Sequence, residues 1–243
     1  GLTIVAFGTS APEFAVSMSA LASGSTDMVL GNVIGSNILN ILLILGVAAV
    51  IRPIEIKDNT VKKELPLTLL ISTLLVVLFL DISLGNSTIN QISRADGIVI
   101  LLFFTIFLYY LITLAKQKKE LKEEDKPQFN LGKSLLFVLL GLVAIVFGSN
   151  LVVNNASDIA ATLGISERVI SLTIIAFGTS LPELVTTIVS AKKGEQDLLV
   201  GNIIGSNIFN IGIVLGLPIA IFGGISVGTF NYVDMFTMIG AAV

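Results

Sequence analysis

The chain has no cysteine, no histidine and no tryptophan, and only 13% of its 243 residues are charged. Without cysteine there are no disulfides and no thiolate metal sites, and without histidine there is no imidazole ligation of metal or haem and no imidazole acid–base chemistry. Oxygen is the ligand chemistry that remains. Charge is scarce by comparison with a soluble domain, which carries about 25% charged residues. Hydrophobic residues make up 54% of the chain and its mean hydropathy is +0.96, the composition of an integral membrane protein. Formal net charge is −3, with 14 basic and 17 acidic side chains, and no basic stripe suited to nucleic acid is present.

A hydrocarbon core about 30 Å thick takes roughly 20 apolar residues per helix. The apolar runs predict eight crossings: A (1–22), B (32–51), C (65–82), D (95–115), E (132–153), F (168–191), G (201–222) and H (229 to the end). The runs are long and do not alternate, so they read as helices rather than barrel strands. Segment A lacks a basic leader and carries Glu13, which excludes a signal peptide. Asp96 and Asp234 fall at predicted helix starts, where a carboxylate meets the positive end of the dipole, and Asp158 reads as a solvated acid near the loop after E.

Shifting the sequence by 170 residues aligns 1–46 with 171–216 without a gap, and 23 of the 46 positions are identical. The shared blocks are "AFGTSAPE" (6–13) with "AFGTSLPE" (176–183), and "GNVIGSNILN" (31–40) with "GNIIGSNIFN" (201–210). Segments A and F are five crossings apart, and an odd number reverses direction, so the copies oppose one another in the bilayer. That is an inverted-topology repeat, an architecture of secondary transporters. Helix E before F calls for a helix before A, and C and D call for two helices after G. The expected plan is therefore five plus five transmembrane helices, about eight of them visible, with a first repeat over 1–115 that lacks its first helix, a linker at 116–131, and a second repeat over 132–243 that lacks its C-terminal end.

Twelve basic residues fall on one side of this plan: Arg52, Lys57, Lys62, Lys63, Lys116, Lys118, Lys119, Lys122, Lys126, Lys133, Lys192 and Lys193. Only Arg94 and Arg168 fall on the other. The positive-inside rule makes the twelve cytoplasmic, and with them the linker.

Each repeated block places polar chemistry inside oil. Pro12 and Pro182 lack an N–H and clash with the carbonyl four residues back, so the Gly-Thr-Ser turns before them are expected to loosen and bare backbone carbonyls. Such a break is tolerated in hydrocarbon only when buried in protein or lining a cavity. Thr9 and Ser10 precede Glu13 by four and three residues, as Thr179 and Ser180 precede Glu183, so hydroxyls and one carboxylate share a helix face. An intramembrane carboxylate marks a functional site by default.

The second block supplies a facing wall. Asn32, Ser36 and Asn40 are spaced by four, as are Asn202, Ser206 and Asn210. The serines and inner asparagines read as oxygen ligands, whereas Asn32 and Asn202 could equally be helix caps. Gly31, Gly35, Gly201 and Gly205 offer small faces for close helix approach. Two carboxylates plus neutral oxygens describe a hard-cation site. Two negative charges offset one Ca²⁺ or most of the charge of a few Na⁺, so one cage would hold either ion and exclude the other. An intramembrane hydrolase would need a nucleophile and base beside the acids, and neither motif has that arrangement.

These blocks resemble the cation/calcium antiporter superfamily, specifically the prokaryotic sodium/calcium exchanger-like proteins. The resemblance implies an antiporter with no prosthetic group, which exchanges Na⁺ for Ca²⁺ by alternating access, in a prokaryotic inner membrane. It implies that Glu13 and Glu183 are the central ligands, that Thr9, Ser10, Thr179 and Ser180 add hydroxyl or carbonyl oxygens, and that Ala6 and Ala176 offer carbonyls to outlying Na⁺ positions. Ser36, Asn40, Ser206 and Asn210 would complete the sites. Some relatives, potassium-dependent exchangers among them, carry aspartate where this chain has Asn210, which argues against potassium co-transport here. The alternative is an H⁺/Ca²⁺ antiporter using the same glutamates, since carboxylates in low-dielectric surroundings also hold protons. The short linker leaves no room for a large calcium-sensing domain between the halves.

Overall fold

The computed structural model describes residues 2–84, 89–119, 130–226 and 232–242. Helices α1 (Leu2–Thr9) and α2 (Ala11–Ala22) are followed by α3 (Thr26–Leu39), which passes through a π-helical turn at Asn40–Leu45 into α4 (Gly46–Ile51). A second wide turn, Thr60–Glu64, opens α5 (Leu65–Leu78); then come the short α6 (Asp81–Leu84), the two-residue β1 (Gln91–Ile92) and α7 (Arg94–Lys119). The second half runs α8 (Leu131–Thr162), α9 (Glu167–Ile170), a π turn at Ser171–Ile175, α10 (Ala176–Thr179) and α11 (Leu181–Lys193). It continues through α12 (Gln196–Phe209), a π turn at Asn210–Leu215, α13 (Gly216–Phe222), β2 (Ile225–Ser226) and α14 (Tyr232–Ala242).

This is an all-α polytopic membrane fold. Among the described residues, Thr26–Ile51, Arg94–Leu114 and Gln196–Phe222 are each long and apolar enough to cross a membrane, and the pair Leu172–Thr179 and Leu181–Lys193, bent by 50°, makes a fourth candidate. Large apolar side chains stand exposed along α5, α7 and α8, among them Leu70, Leu102, Ile106, Phe137 and Leu140, which suits lipid as the surrounding solvent.

Several expected boundaries shift. B begins at Thr26 rather than 32 and G at Gln196 rather than 201, because the polar residues ahead of the apolar run form a first helical turn carrying Asp27 and Asp197. D continues to Lys119, four residues into the expected linker, since Lys and Gln are good helix formers; 120–129 lie outside the described residues. E continues nine residues past 153, to Thr162. Asp96 does close a reciprocal N-terminal cap: its Oδ2 accepts from Ser93 N and Oγ at 2.8 and 2.7 Å, and Ser93 Oγ accepts from Asp96 N at 3.2 Å. Asp234 lies in the first turn of α14, and Asp158 is exposed near the end of α8.

The repeats pack across one another as well as each on itself. Helix α1 lies on α12 while the 171–179 stretch lies on α3, and α2 contacts α3 as α11 contacts α12. This intimacy depends on glycine. A Cβ at Gly35 would meet Ala176 Cβ and the Leu172 carbonyl oxygen, each at 2.7 Å, and one at Gly205 would meet Ala6 Cβ at 3.2 Å.

The two ends of the bundle are tied differently. At one end β1 pairs antiparallel with β2, Gln91 opposite Ser226, and Arg94 Nη2 donates to the Ile221 carbonyl at 3.3 Å. At the other, Lys57 pairs with Asp197 at 2.6 Å, and Gln196 Nε2 donates to the Pro53 carbonyl at 3.2 Å. Gly194 (φ 76°) ends α11 there in the left-handed conformation.

Gly35→Ala should therefore lower stability by about 1–3 kcal/mol through overpacking against backbone, even after the roughly 1 kcal/mol that alanine gains in a helix. Gly205→Ala should be close to neutral. Thermal unfolding in detergent distinguishes the two, and equal melting temperatures would refute the tight contact at Gly35.

Candidate cation site

The site forms where both helix breaks meet the two central helices. Ser10 and Ser180 sit between helices with φ, ψ of −84°, 8° and −83°, 5°, and Pro12 and Pro182 occupy the first turn of α2 and α11. Proline suits that position because its missing N–H would have no helical partner there. The break turns Glu13 and Glu183 inward, and both are fully buried.

The two halves exchange hydrogen bonds. Ser10 Oγ donates to Glu183 Oε1 at 3.0 Å and Ser180 Oγ donates to Glu13 Oε1 at 3.1 Å. Thr9 Oγ1 lies 3.3 Å from Asn202 Oδ1, and Thr179 Oγ1 donates to Asn32 Oδ1 at 3.1 Å. Ser206 Oγ donates to Glu183 Oε1 at 3.2 Å, while Ser36 Oγ is 3.5 Å from the Ala176 carbonyl oxygen and from Thr179 Oγ1. All twelve sequence-predicted residues are buried. Ten of them carry polar side chains, and eight of those ten take part in the contacts above; Asn40 and Asn210 take part in those that follow.

One reading of the sequence needs correction. Asn32 is not a cap: it lies inside α3, which begins at Thr26, and its Nδ2 donates to the Glu13 carbonyl at 3.0 Å and to Ser17 Oγ at 3.1 Å. Asn202 likewise lies inside α12. The carbonyls of Ala6 and Ala176 each accept from the N–H of Ser10 or Ser180 at 3.1 Å and lie within 3.3 Å of the Thr9 or Thr179 hydroxyl.

Sequence reasoning also missed Asn37 and Asn207. Asn37 Nδ2 donates to the Asn207 carbonyl at 3.2 Å and Asn207 Nδ2 to the Asn37 carbonyl at 3.3 Å. Asn40 Nδ2 donates to Asn207 Oδ1 at 2.9 Å and Asn210 Nδ2 to Asn37 Oδ1 at 3.1 Å. Their signal was identity in both copies; they were passed over because they lie off the i, i+4 stripe.

Four acceptors remain among the atoms left over after this pairing. Glu13 Oε2, Glu183 Oε2, Asn40 Oδ1 and Asn210 Oδ1 are buried and have no hydrogen-bond partner. Among the described residues no basic side chain pairs with either glutamate; the ion pairs found are Lys57–Asp197 and Lys62–Asp58. Buried orphan acceptors cost about 1–3 kcal/mol each, and two carboxylate plus two amide oxygens are the donor set of a hard cation. Two copies of the π turn begin at Asn40 and Asn210, a distortion that often accompanies functional sites in helices.

A family model described as "Sodium/calcium exchanger protein" matches residues 1–113 and 133–243. The chain belongs to the sodium/calcium exchanger protein family. Its relatives include the inner membrane protein YrbG of Escherichia coli, 42% identical over 92% of this chain and 69% of that protein. Sodium/calcium exchanger MaX1 of Methanosarcina acetivorans is 32% identical over 89% of this chain and 71% of its own length. Among solved structures, the sodium-calcium exchanger NCX_Mj soaked with Na⁺ and Sr²⁺ superposes with a TM-score of 0.78 at 33% identity, covering all of this chain and 75% of that one.

Within this exchanger-family chain the two halves are not equally satisfied. Asn32 makes hydrogen bonds through both ends of its amide, whereas Asn202 Nδ2 and Thr187 Oγ1, a hydroxyl of the same half, have no partner. Asn32→Ala should then destabilise the protein by roughly 1–3 kcal/mol, and Asn202→Ala by clearly less. Chemical or thermal unfolding of the two variants reads the difference, and a larger loss for Asn202→Ala would contradict the asymmetry.

Proposed function

We propose that the protein is a secondary active antiporter that exchanges Na⁺ for Ca²⁺ at one central cage, without a prosthetic group and without enzymatic chemistry. The observation that carries this reading is that one carboxylate oxygen of Glu13 and of Glu183 and the amide oxygen of Asn40 and of Asn210, a matching pair from each repeat, are buried without hydrogen-bond partners. The relative MaX1 is named as a sodium/calcium exchanger and NCX_Mj is a sodium-calcium exchanger, which supports the same ions here.

In this reading Glu13 and Glu183 carry the charge. Ser10, Ser180 and Ser206 hold one oxygen of each carboxylate or both halves together, leaving the second oxygen for the ion. Asn40 and Asn210 add neutral ligands; Thr9, Thr179, Ser36 and the carbonyls of Ala6 and Ala176 line the outlying positions. Two negative charges accommodate Ca²⁺ or Na⁺ in turn, and that mutual exclusion is what couples the two fluxes.

The topology that fits is five plus five helices, with repeats at 1–115 and 132–243 and a cytoplasmic linker at 116–131. Its support is the grouping of charges at opposite ends of the bundle, with Arg52 beside Gly194 and Lys57 on Asp197 at one end and Arg94 against Ile221 at the other. Alternating access opens the cage to one end and then to the other, in a membrane of the kind that holds YrbG.

Proteoliposomes carrying the purified protein should take up Ca²⁺ against an outward Na⁺ gradient, and Glu13→Gln or Glu183→Gln should each abolish that uptake. Uptake driven only by an outward H⁺ gradient would replace Na⁺ by H⁺ as the coupling ion. No coupled Ca²⁺ flux under either gradient, with folded protein, would sink the calcium reading.

A further inference from the structure

The orientation of an asparagine side chain is ambiguous by shape, because its oxygen and its NH₂ are nearly the same size and a half-turn exchanges them. At a cation cage the two orientations have opposite meaning. An oxygen binds the ion, whereas an NH₂ presents hydrogen to it and repels it. Something must therefore decide which end of Asn40 and of Asn210 is presented.

The chain of hydrogen bonds around Asn37 and Asn207 makes that decision. A backbone carbonyl can only accept, so the group of Asn37 that contacts the Asn207 carbonyl at 3.2 Å must be its NH₂. The other end of Asn37 is then an oxygen, which can only accept, and the group of Asn210 that meets it at 3.1 Å must be an NH₂. The remaining atom of Asn210 is its oxygen, buried and without a partner. The same polarity runs through the other half: the Asn37 carbonyl fixes the NH₂ of Asn207 at 3.3 Å, Asn207 Oδ1 fixes the NH₂ of Asn40 at 2.9 Å, and Asn40 Oδ1 is left unpartnered. Each relay starts at a group that cannot flip, so its end is determined.

Resting on the cation-cage reading above, we propose that Asn37 and Asn207 are positioning residues for cation binding: each orients the inner asparagine of the opposite repeat so that its carbonyl oxygen, not its NH₂, faces the ion. They do not touch the ion. Each acts across the interface between repeats, so neither half can present its own amide ligand without the other.

The test is Ca²⁺ binding to the purified protein by titration calorimetry in Na⁺-free buffer, with thermal unfolding measured in the same detergent. Asn37→Ala should weaken Ca²⁺ binding by about 10–100-fold, the usual effect of losing a group that orients a ligand, in protein that still unfolds cooperatively. Asn210→Ala should weaken it comparably, and the double variant should be no weaker than the worse single one, because an absent amide needs no positioning. Asn207→Ala with Asn40→Ala is the matching cycle in the other half, and it carries the test if Asn37→Ala does not fold. Unchanged binding in Asn37→Ala and Asn207→Ala, or losses that multiply in the double variants, would overturn the positioning role. So would failure of both Asn37→Ala and Asn207→Ala to fold, which would assign the pair to the fold itself. Glu13→Gln and Glu183→Gln separate the two levels: if they too bind Ca²⁺ normally, the cage reading has failed, and if they alone lose binding, only the positioning role has.

Discussion

Two carboxylates buried in an apolar slab, with no basic side chain paired to them among the described residues, set the terms for everything around them. Leaving such groups in a low-dielectric interior is costly unless they are met by donors or by a positive charge. The protein meets half of the requirement with hydroxyls, one oxygen of each glutamate accepting from a serine of the opposite repeat. In the antiporter reading, the other half falls to an ion. The broken helices, the glycine contacts at Gly35 and Gly205 and the polar stripes on α3 and α12 are what bring two such glutamates together.

Because each glutamate is served by the other repeat, the halves are chemically incomplete alone. Ser10 answers Glu183 and Ser180 answers Glu13; Asn207 answers Asn40 and Asn37 answers Asn210. In the antiporter reading, the near-symmetry of this exchange suits a site that faces either end with similar energy. The exchange departs from symmetry at Ser206, which donates to Glu183 while Ser36 contacts the Ala176 carbonyl and Thr179, and at Asn202 and Thr187, which lack the partners that Asn32 and Ser17 have found.

The repeated blocks made the architecture legible in the sequence. Glutamate, proline and hydroxyl at fixed spacing, twice, pointed to buried chemistry, and the structure buries every one of those residues. Helix ends were less legible, since Thr26 and Gln196 begin helices that hydropathy alone starts later, and Lys119 continues one that hydropathy stops. Asn37 and Asn207 escaped because stripe reasoning follows one face of one helix, whereas these two amides act across a seam between helices 170 residues apart in the chain. A single-helix pattern carries no information about that seam.

The π turns at Asn40–Leu45 and Asn210–Leu215 have a historical consequence. Each is the geometric trace of one residue too many in a helix, and they occupy the same place in both copies, offset by the same 170 residues as the surrounding sequence. The simplest lineage inserts that residue once, in a single ancestral half, before the gene segment was copied. The ancestor then already had its polar stripe interrupted at the inner asparagine. With the two halves oppositely oriented, as the proposed five-plus-five topology has them, an unduplicated ancestor would have had to assemble such a site from two separate chains inserted in opposite directions.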